Sequence, residues 1–421
     1  MDNVKGLFDF IKNSPSAFQA VATVSDVLEK EGYTRLYEGK KWSLTDGGKY
    51  YVVRSGSSLI AFRTVKHANG FMICAAHTDS PAFRVKLSGE KGGAYTRLDV
   101  EKYGGMIYYS WLDRPLSIAG RVVTSGPSGV ECHLVNLDTD LCSIPSLAIH
   151  FNRGVNEGAS FNPAVDLLPL YATSGGNILD DVAQAAGTTP DEILSHDLFL
   201  YNRDEGKTFG KNGEFILCPR LDDLEGVYAS LRGFLAADKS KSIPVYAIFD
   251  NEEVGSSTKQ GAASTFLYDT LTRIVGDDYL PMLASSMMLS IDNAHALHPN
   301  RPEMSDKENA PILGGGIVVK FNANQRYTTD AVSHALFLEI CRRAAVPTQR
   351  YYNRGDIAGG STLGSISNTC VSLPTIDIGF PQLAMHSANE TAATADIEPM
   401  IKAVTAFFST SITENENGYN I

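Results

Sequence analysis

The chain has 421 residues, of which 43% are hydrophobic and 20% charged, and it carries a formal net charge of −12. That length and apolar content can bury a large core and point to about two or three domains. The acidic balance disfavours general binding to nucleic acid or to anionic membranes, and no apolar stretch approaches the ~20 residues of a membrane-spanning helix.

In chain order, the opening segment mixes acidic and polar residues without a long apolar block, so it reads as neither signal nor transit peptide. Ser14-Pro15 marks a helix start, and Phe18, Val21, Val24, Val27 and Leu28 recur at helical spacing until Gly32 stops them. A hairpin follows, with YYVVRSG and SLIAFRT on either side of a Gly-Ser turn. Several short apolar runs then end abruptly in polar or acidic residues: FMICAA before His77, PVYAIF before Asp250, MMLSI before Asp292, and IVVKF after three glycines. Such strands, alternating with helices such as TTDAVSHALFLEICRRAAV, predict an α/β fold whose sheet is covered on both faces. In sheets of this kind functional groups gather beyond the carboxyl ends of the strands.

From about Val85 to Gly213 the texture changes. Glycine-rich turns (GEKGGAY, YGGM, TSGPSG) separate short strand-like pieces such as RVVTS and ECHLVNL, with helical periodicity only near Leu179. The expected division is a catalytic domain in two parts, 1–86 and 214–421, with a mainly β domain inserted at 87–213. The six cysteines, Cys74, Cys132, Cys142, Cys218, Cys341 and Cys370, lack CxxC spacing, which argues against a zinc knuckle and a disulfide framework. Cys74 and Cys370 lie in apolar runs and read as small core residues, and a reducing cytoplasm is the simplest home.

Acid and imidazole side chains stand at the ends of the apolar runs: His77 and Asp79 in AAHTDSP, Asp222 in CPRLDDLEG, Glu252 and Glu253 in FDNEEVGS, Asp292 in SIDNAHALHPN, and His386 in LAMHSANE. These are donors that Zn²⁺, Mn²⁺ or Co²⁺ accept. Two adjacent glutamates at the mouth of a buried strand need nearby positive charge, which a pair of divalent cations would supply. In extended chain Glu252 and Glu253 point to opposite sides, so one can ligate while the other takes the proton of a water acidified by the cations.

The segments NSPSAFQAV, AAHTDSP, YGGMIYYSWLDRPLSIAGRV, SLAIHFNRGVNEG, RLDDL, DNEEVGS, DNAHALHPN, VVKFNANQRYTTDA and AMHSANE are spread over most of the chain. Together they resemble the aspartyl aminopeptidase family of dinuclear zinc metallopeptidases. The resemblance implies that His77 and Asp292 hold one metal, that Glu253 and His386 hold the other, and that Asp222 rather than Asp223 bridges them. It implies Glu252 as general base and acid, and Asp79 as a hydrogen-bond partner of the His77 imidazole. It also implies that the inserted domain mediates dimerisation, that the chain assembles as a tetrahedral dodecamer, and that the substrates are peptides with a free N-terminus. Lys320 and Tyr327 match the substrate pocket, Lys320 pairing with an acidic first residue, and His150 matches a histidine that reaches a neighbouring subunit's site. The loop YNRGDIAGGSTLG matches a pocket-forming loop, though its continuation SISNTC departs from the family's glycine-proline pattern.

Plainer readings stand beside these. The two glutamates could favour the N-terminus of a helix following Gly255, and Lys320 could be an exposed strand residue. His295 and His298 read as packing residues, and His67, His133, His196 and His334 as surface or core histidines. The expectation is a cytoplasmic zinc aminopeptidase that removes N-terminal, preferably acidic, residues. The alternatives are a neutral-residue aminopeptidase of the same fold, a dinuclear metal deacylase or dipeptidase, and a protein that kept the fold without activity.

Overall fold

The computed structural model describes residues 2–421. Nine strands form one mixed sheet, in the order Thr34–Leu36, Lys49–Arg54, Ser58–Arg63, Ile243–Phe249, Phe71–His77, Met287–Ile291, Thr375–Gly379, Ile317–Phe321, Thr348–Tyr352. The strands Ile243–Phe249, Phe71–His77, Met287–Ile291 and Thr375–Gly379 run parallel, and every residue in them is buried. That is the continuous apolar signature of a strand covered on both faces.

The two faces build separate cores because strand side chains alternate. Met72, Cys74 and Ala76 join a cluster completed by helices Ala17–Lys30, Leu221–Ala236, Ala331–Arg343 and Thr394–Phe408. Phe71, Ile73 and Ala75 point the other way, toward helix Phe266–Val275. The anticipated helix after Ser14-Pro15 begins at Ala17, because the Ser16 hydroxyl accepts the Phe18 N–H and caps it. An unanticipated helix, Asn3–Lys12, precedes it, capped by Asp2 and burying Leu7, Phe10 and Ile11.

A second sheet is antiparallel throughout, in the order Gly129–Asn136, Leu116–Gly126, Ile193–Asn202, Ala82–Lys91, Thr96–Tyr103, Leu170–Ala172. Its core is its own, centred on Phe83, Leu98, Trp111, Ile118 and Leu200, with helix Ile178–Ala186 against it. In chain order the sheet starts at Ala82 and ends at Asn202. Lys207–Phe209 and Phe215–Cys218 instead pair with each other and with Glu390–Ala393.

No helix among the described residues is long and apolar enough to cross a membrane. All six cysteines are free; Cys74 is buried as expected, whereas Cys370 is half-buried, donating its thiol hydrogen to the Ala263 carbonyl at 3.2 Å.

Candidate metal centre

The parallel strands deliver their last residues to one edge. Phe249 is level with His77, and continuing the register of Ser290 with Ala75 brings Asp292 level with His77 too. The His77 ring is buried, with Nδ1 3.0 Å from the Asp79 carbonyl oxygen. A carbonyl only accepts, so Nδ1 carries a hydrogen, and it is Nε2 that the neutral ring would offer to a metal. That Nε2 faces Asp222 Oδ1 at 3.3 Å.

Asp222 lies at the start of helix Leu221–Ala236, and both it and Asp223 depart there from helical backbone geometry. Its second oxygen, Oδ2, lies 3.6 Å from Nε2 of His386. Asp222 therefore stands between the two imidazoles. Asp223 does not: its carboxylate accepts the main-chain N–H of His77 at 3.1 Å and rests against Gly226, where a Cβ would fall 2.2 Å from its Oδ1.

His386 has φ +66, a left-handed backbone that side chains rarely adopt. It is tied at both ends, its N–H donating to Glu390 Oε1 and its Nδ1 to the carbonyl of Gly105, each at 2.7 Å. Its Nε2 thus also faces the cluster, 3.4 Å from Glu253 Oε2. His77, Asp222 and Glu253 offer donor atoms within 4.8 Å of one another.

Glu252 and Glu253 are not in extended chain. They occupy a single 3₁₀ turn, Glu252–Val254, entered through Asn251 at φ +65, and no helix follows Gly255; the next begins at Phe266. The helix-terminus reading of the pair is therefore wrong. The turn is fixed by Asp79, whose two carboxylate oxygens accept the N–H groups of Glu252 and Glu253, each at 3.1 Å, and whose Oδ2 also accepts the Tyr103 hydroxyl at 2.7 Å. Asp79 meets the His77 ring chiefly through its carbonyl, its carboxylate lying 3.5 Å from Nδ1.

Lys320 is not an exposed strand residue. It is 2% exposed, its ammonium lying 3.4 Å from Asp292 Oδ2, 3.1 Å from the Asn293 carbonyl and 5.3 Å from the centre of the Tyr327 ring. Its strand runs antiparallel to Thr375–Gly379, so the strand's carboxyl end points away from the metal edge, and the long aliphatic stem brings the charge back to Asp292. His295 lies on the rim, its ring edge-on to Tyr351. His150 sits on an exposed loop and, among the described residues, shares no hydrogen bond or ion pair with this cluster.

Three supporting groups carry no sequence signal of their own. Glu390 is buried and accepts the N–H of Asp222 at 3.0 Å as well as that of His386. Tyr103 and Gly105 come from the second sheet's edge, and Gly104 between them has φ +76, where a Cβ would lie 3.2 Å from that of Glu253. The motifs YGGM and AMHSANE contained all three, but contacts between distant segments are invisible to spacing.

The donor set fits divalent metal. Asp222 Oδ1 and Glu253 Oε1 are buried without a hydrogen-bond partner, and the Nε2 atoms of two imidazoles converge on carboxylate oxygens, an arrangement that suits cations between them. Burial and the charges of Asp292, Asp79 and Asp222 push the Glu252 carboxyl up to about 8, against the opposing pull of His77. Burial and the Asp222 charge likewise raise Glu390 to about 8. So much like charge in one place is a cost that bound cations remove.

Comparison with known proteins agrees with this chemistry. The family model described as aminopeptidase I zinc metalloprotease (M18) matches residues 10–408. The chain is 42% identical over 422 residues to the probable M18 family aminopeptidase 2 of Clostridium novyi (strain NT), spanning 96% of this chain and 98% of that one. It is 43% identical over 429 residues to the protein of the same description from Clostridium acetobutylicum, spanning 97% and 99%. Among solved structures it is similar to one from the cryo-EM structure of the Ape4 and Nbr1 complex, with a TM-score of 0.93 and 33% identity over 97% of this chain and 85% of that one. It is also similar to the S. cerevisiae mApe1 dodecamer structure, with a TM-score of 0.86 and 27% identity over 97% and 96%. A match running through both sheets and every residue of the cluster leaves one assignment: the chain belongs to the M18 family of zinc metalloproteases and is an aminopeptidase.

Proposed function

We propose that the enzyme works through two divalent ions, zinc by family and with manganese or cobalt compatible with the same donors. His77 and Asp292 hold one, Glu253 and His386 the other, and Asp222 is shared. The observation that carries this reading is the placement of the Asp222 carboxylate, one oxygen toward each imidazole. Bound there, the cations supply Lewis acidity for the scissile carbonyl and for water. Glu252, unoccupied by any imidazole and fixed by Asp79, takes the proton from the attacking water and returns it to the departing amine. Metal analysis of the purified protein tests the count: two ions per chain support the reading, and one ion per chain at full activity would end it.

The preferred first residue is acidic in this proposal, with Lys320 as the cation beneath the pocket and Tyr327 beside it. A neutral preference is favoured by one observation, the pairing of Lys320 with Asp292, which leaves the ammonium little charge to offer. Initial rates on Asp, Glu, Leu, Lys and Ala amides separate the two. Loss of turnover on N-terminally blocked peptides separates both from a deacylase.

The proposal extends to assembly as a homo-oligomer, a tetrahedral dodecamer, in the cytoplasm. Its support is the dodecamer reported for mApe1, the exposure of Leu147, Ile149 and Phe151 around His150, and six free thiols. Light-scattering mass, and complementation between a His150→Ala chain and a Glu252→Gln chain in mixed oligomers, test whether His150 serves a neighbour's site.

A further inference from the structure

Asp377 lies in the middle of the strand Thr375–Gly379 with none of its surface exposed. A carboxylate in such a place must be satisfied by donors. Its Oδ2 accepts both the N–H and the hydroxyl of Thr328, each at 2.6 Å, and its Oδ1 accepts the hydroxyl of Thr362 at 2.7 Å. Its own N–H donates to the Thr329 hydroxyl at 3.0 Å.

These three threonines belong to two different loops. Thr328 and Thr329 follow Tyr327 in the loop that leaves the strand Ile317–Phe321, whereas Thr362 ends the loop that leaves the neighbouring strand Thr348–Tyr352. Continuing the register of Val319 with Ile378 sets Lys320 level with Asp377, so the two side chains rise from the same face of the sheet. Gly364, just beyond Thr362, approaches so closely that a Cβ would fall 2.9 Å from Asp377 Oδ1. Where they leave their strands the loops also meet, Asn322 Nδ2 donating to Asn353 Oδ1 at 3.3 Å.

We propose that Asp377 is a positioning residue of the substrate pocket, its single buried carboxylate joining the Tyr327 loop to the 353–362 loop and so fixing the distance between the pocket's two walls. This rests on the reading of Lys320, Tyr327 and the 353–362 loop as parts of the substrate pocket. Asp377 touches no substrate; it acts through the threonines.

The test uses the zinc-loaded full-length enzyme with Thr328→Val and Thr362→Val, which keep shape and remove one hydroxyl each. Either should raise KM for the preferred amide about tenfold, the scale of a hydrogen bond to a charged group, while kcat and zinc content stay at the parent's values. Thr362→Ser, which keeps the hydroxyl, should restore KM. Asp377→Asn should raise KM less than Asp377→Ala, because one amide oxygen can still accept from Thr328 while its NH₂ donates to Thr362. If Asp377→Ala does not fold, the threonine variants still decide. Unchanged KM in both valine variants, or a loss in kcat that serine does not repair, overturns the proposal. Lys320→Met tells the two readings apart. Unchanged acidic-to-neutral selectivity in that variant sinks the pocket assignment. Altered selectivity there, with unmoved KM in the threonine variants, sinks only the clamp.

Discussion

The carbonyl of Gly105 accepts a hydrogen bond from Nδ1 of His386 at 2.7 Å, joining residues 281 positions apart. Together with the Tyr103 hydroxyl on Asp79, it makes the edge of the second sheet part of the candidate metal centre. One contact orients an imidazole; the other holds the carboxylate on which the Glu252–Glu253 turn hangs.

Tyr103→Phe removes only that hydroxyl. The variant should lose about 1.5–3 kcal/mol of stability, as expected for a hydrogen bond to a charged group, and should also lose turnover because the turn carrying Glu252 loosens. Urea unfolding and initial rates check both, and an unchanged rate would detach Tyr103 from the chemistry.

Glu252→Gln keeps the size of the side chain and removes the base. Turnover should fall ~10²–10⁴-fold with metal content intact. A variant that loses its metal would show Glu252 to be a ligand.

Glu390→Gln leaves one acceptor for two main-chain donors, those of Asp222 and His386. Metal affinity should drop ~10–100-fold, read by competition with a chelating dye. Chelation of the parent enzyme should lower its melting temperature, because Asp222 and Glu253 are then left uncompensated, and added zinc should restore it.

Phe234→Ala probes the core rather than the site. The Phe234 ring is fully buried and packs on Tyr33, Tyr246 and Phe408 at centroid distances of 5.7, 5.7 and 5.3 Å. Its loss should cost about 3–5 kcal/mol while the folded fraction keeps the parent's KM. A shifted KM would mean that the cavity reaches the pocket.

The strands that end at His77, Phe249 and Ile291 were legible because a strand buried on both faces needs an unbroken apolar run, and the run stops where the chain reaches the functional edge. The acid and imidazole residues that the fold gathers here were legible for the same reason, standing where those runs break. The local geometry of Glu252 and Glu253 was not, since alternation holds only in extended chain and Asp79 pulls this pair into a 3₁₀ turn. The contact of Lys320 with Asp292 was not legible either, because strand direction is not written in a five-residue strand.

By itself, then, the sequence determined the two-sided sheet, the inserted β region and the chemical types at the centre, because burial periodicity and side-chain chemistry are local properties. Only the tertiary structure decided that Asp222 rather than Asp223 stands between the imidazoles, that Glu390 and Gly105 hold His386, and that Lys320 faces Asp292. Each of these is a contact between segments far apart in the chain, set by how the strands order themselves and which way each one runs.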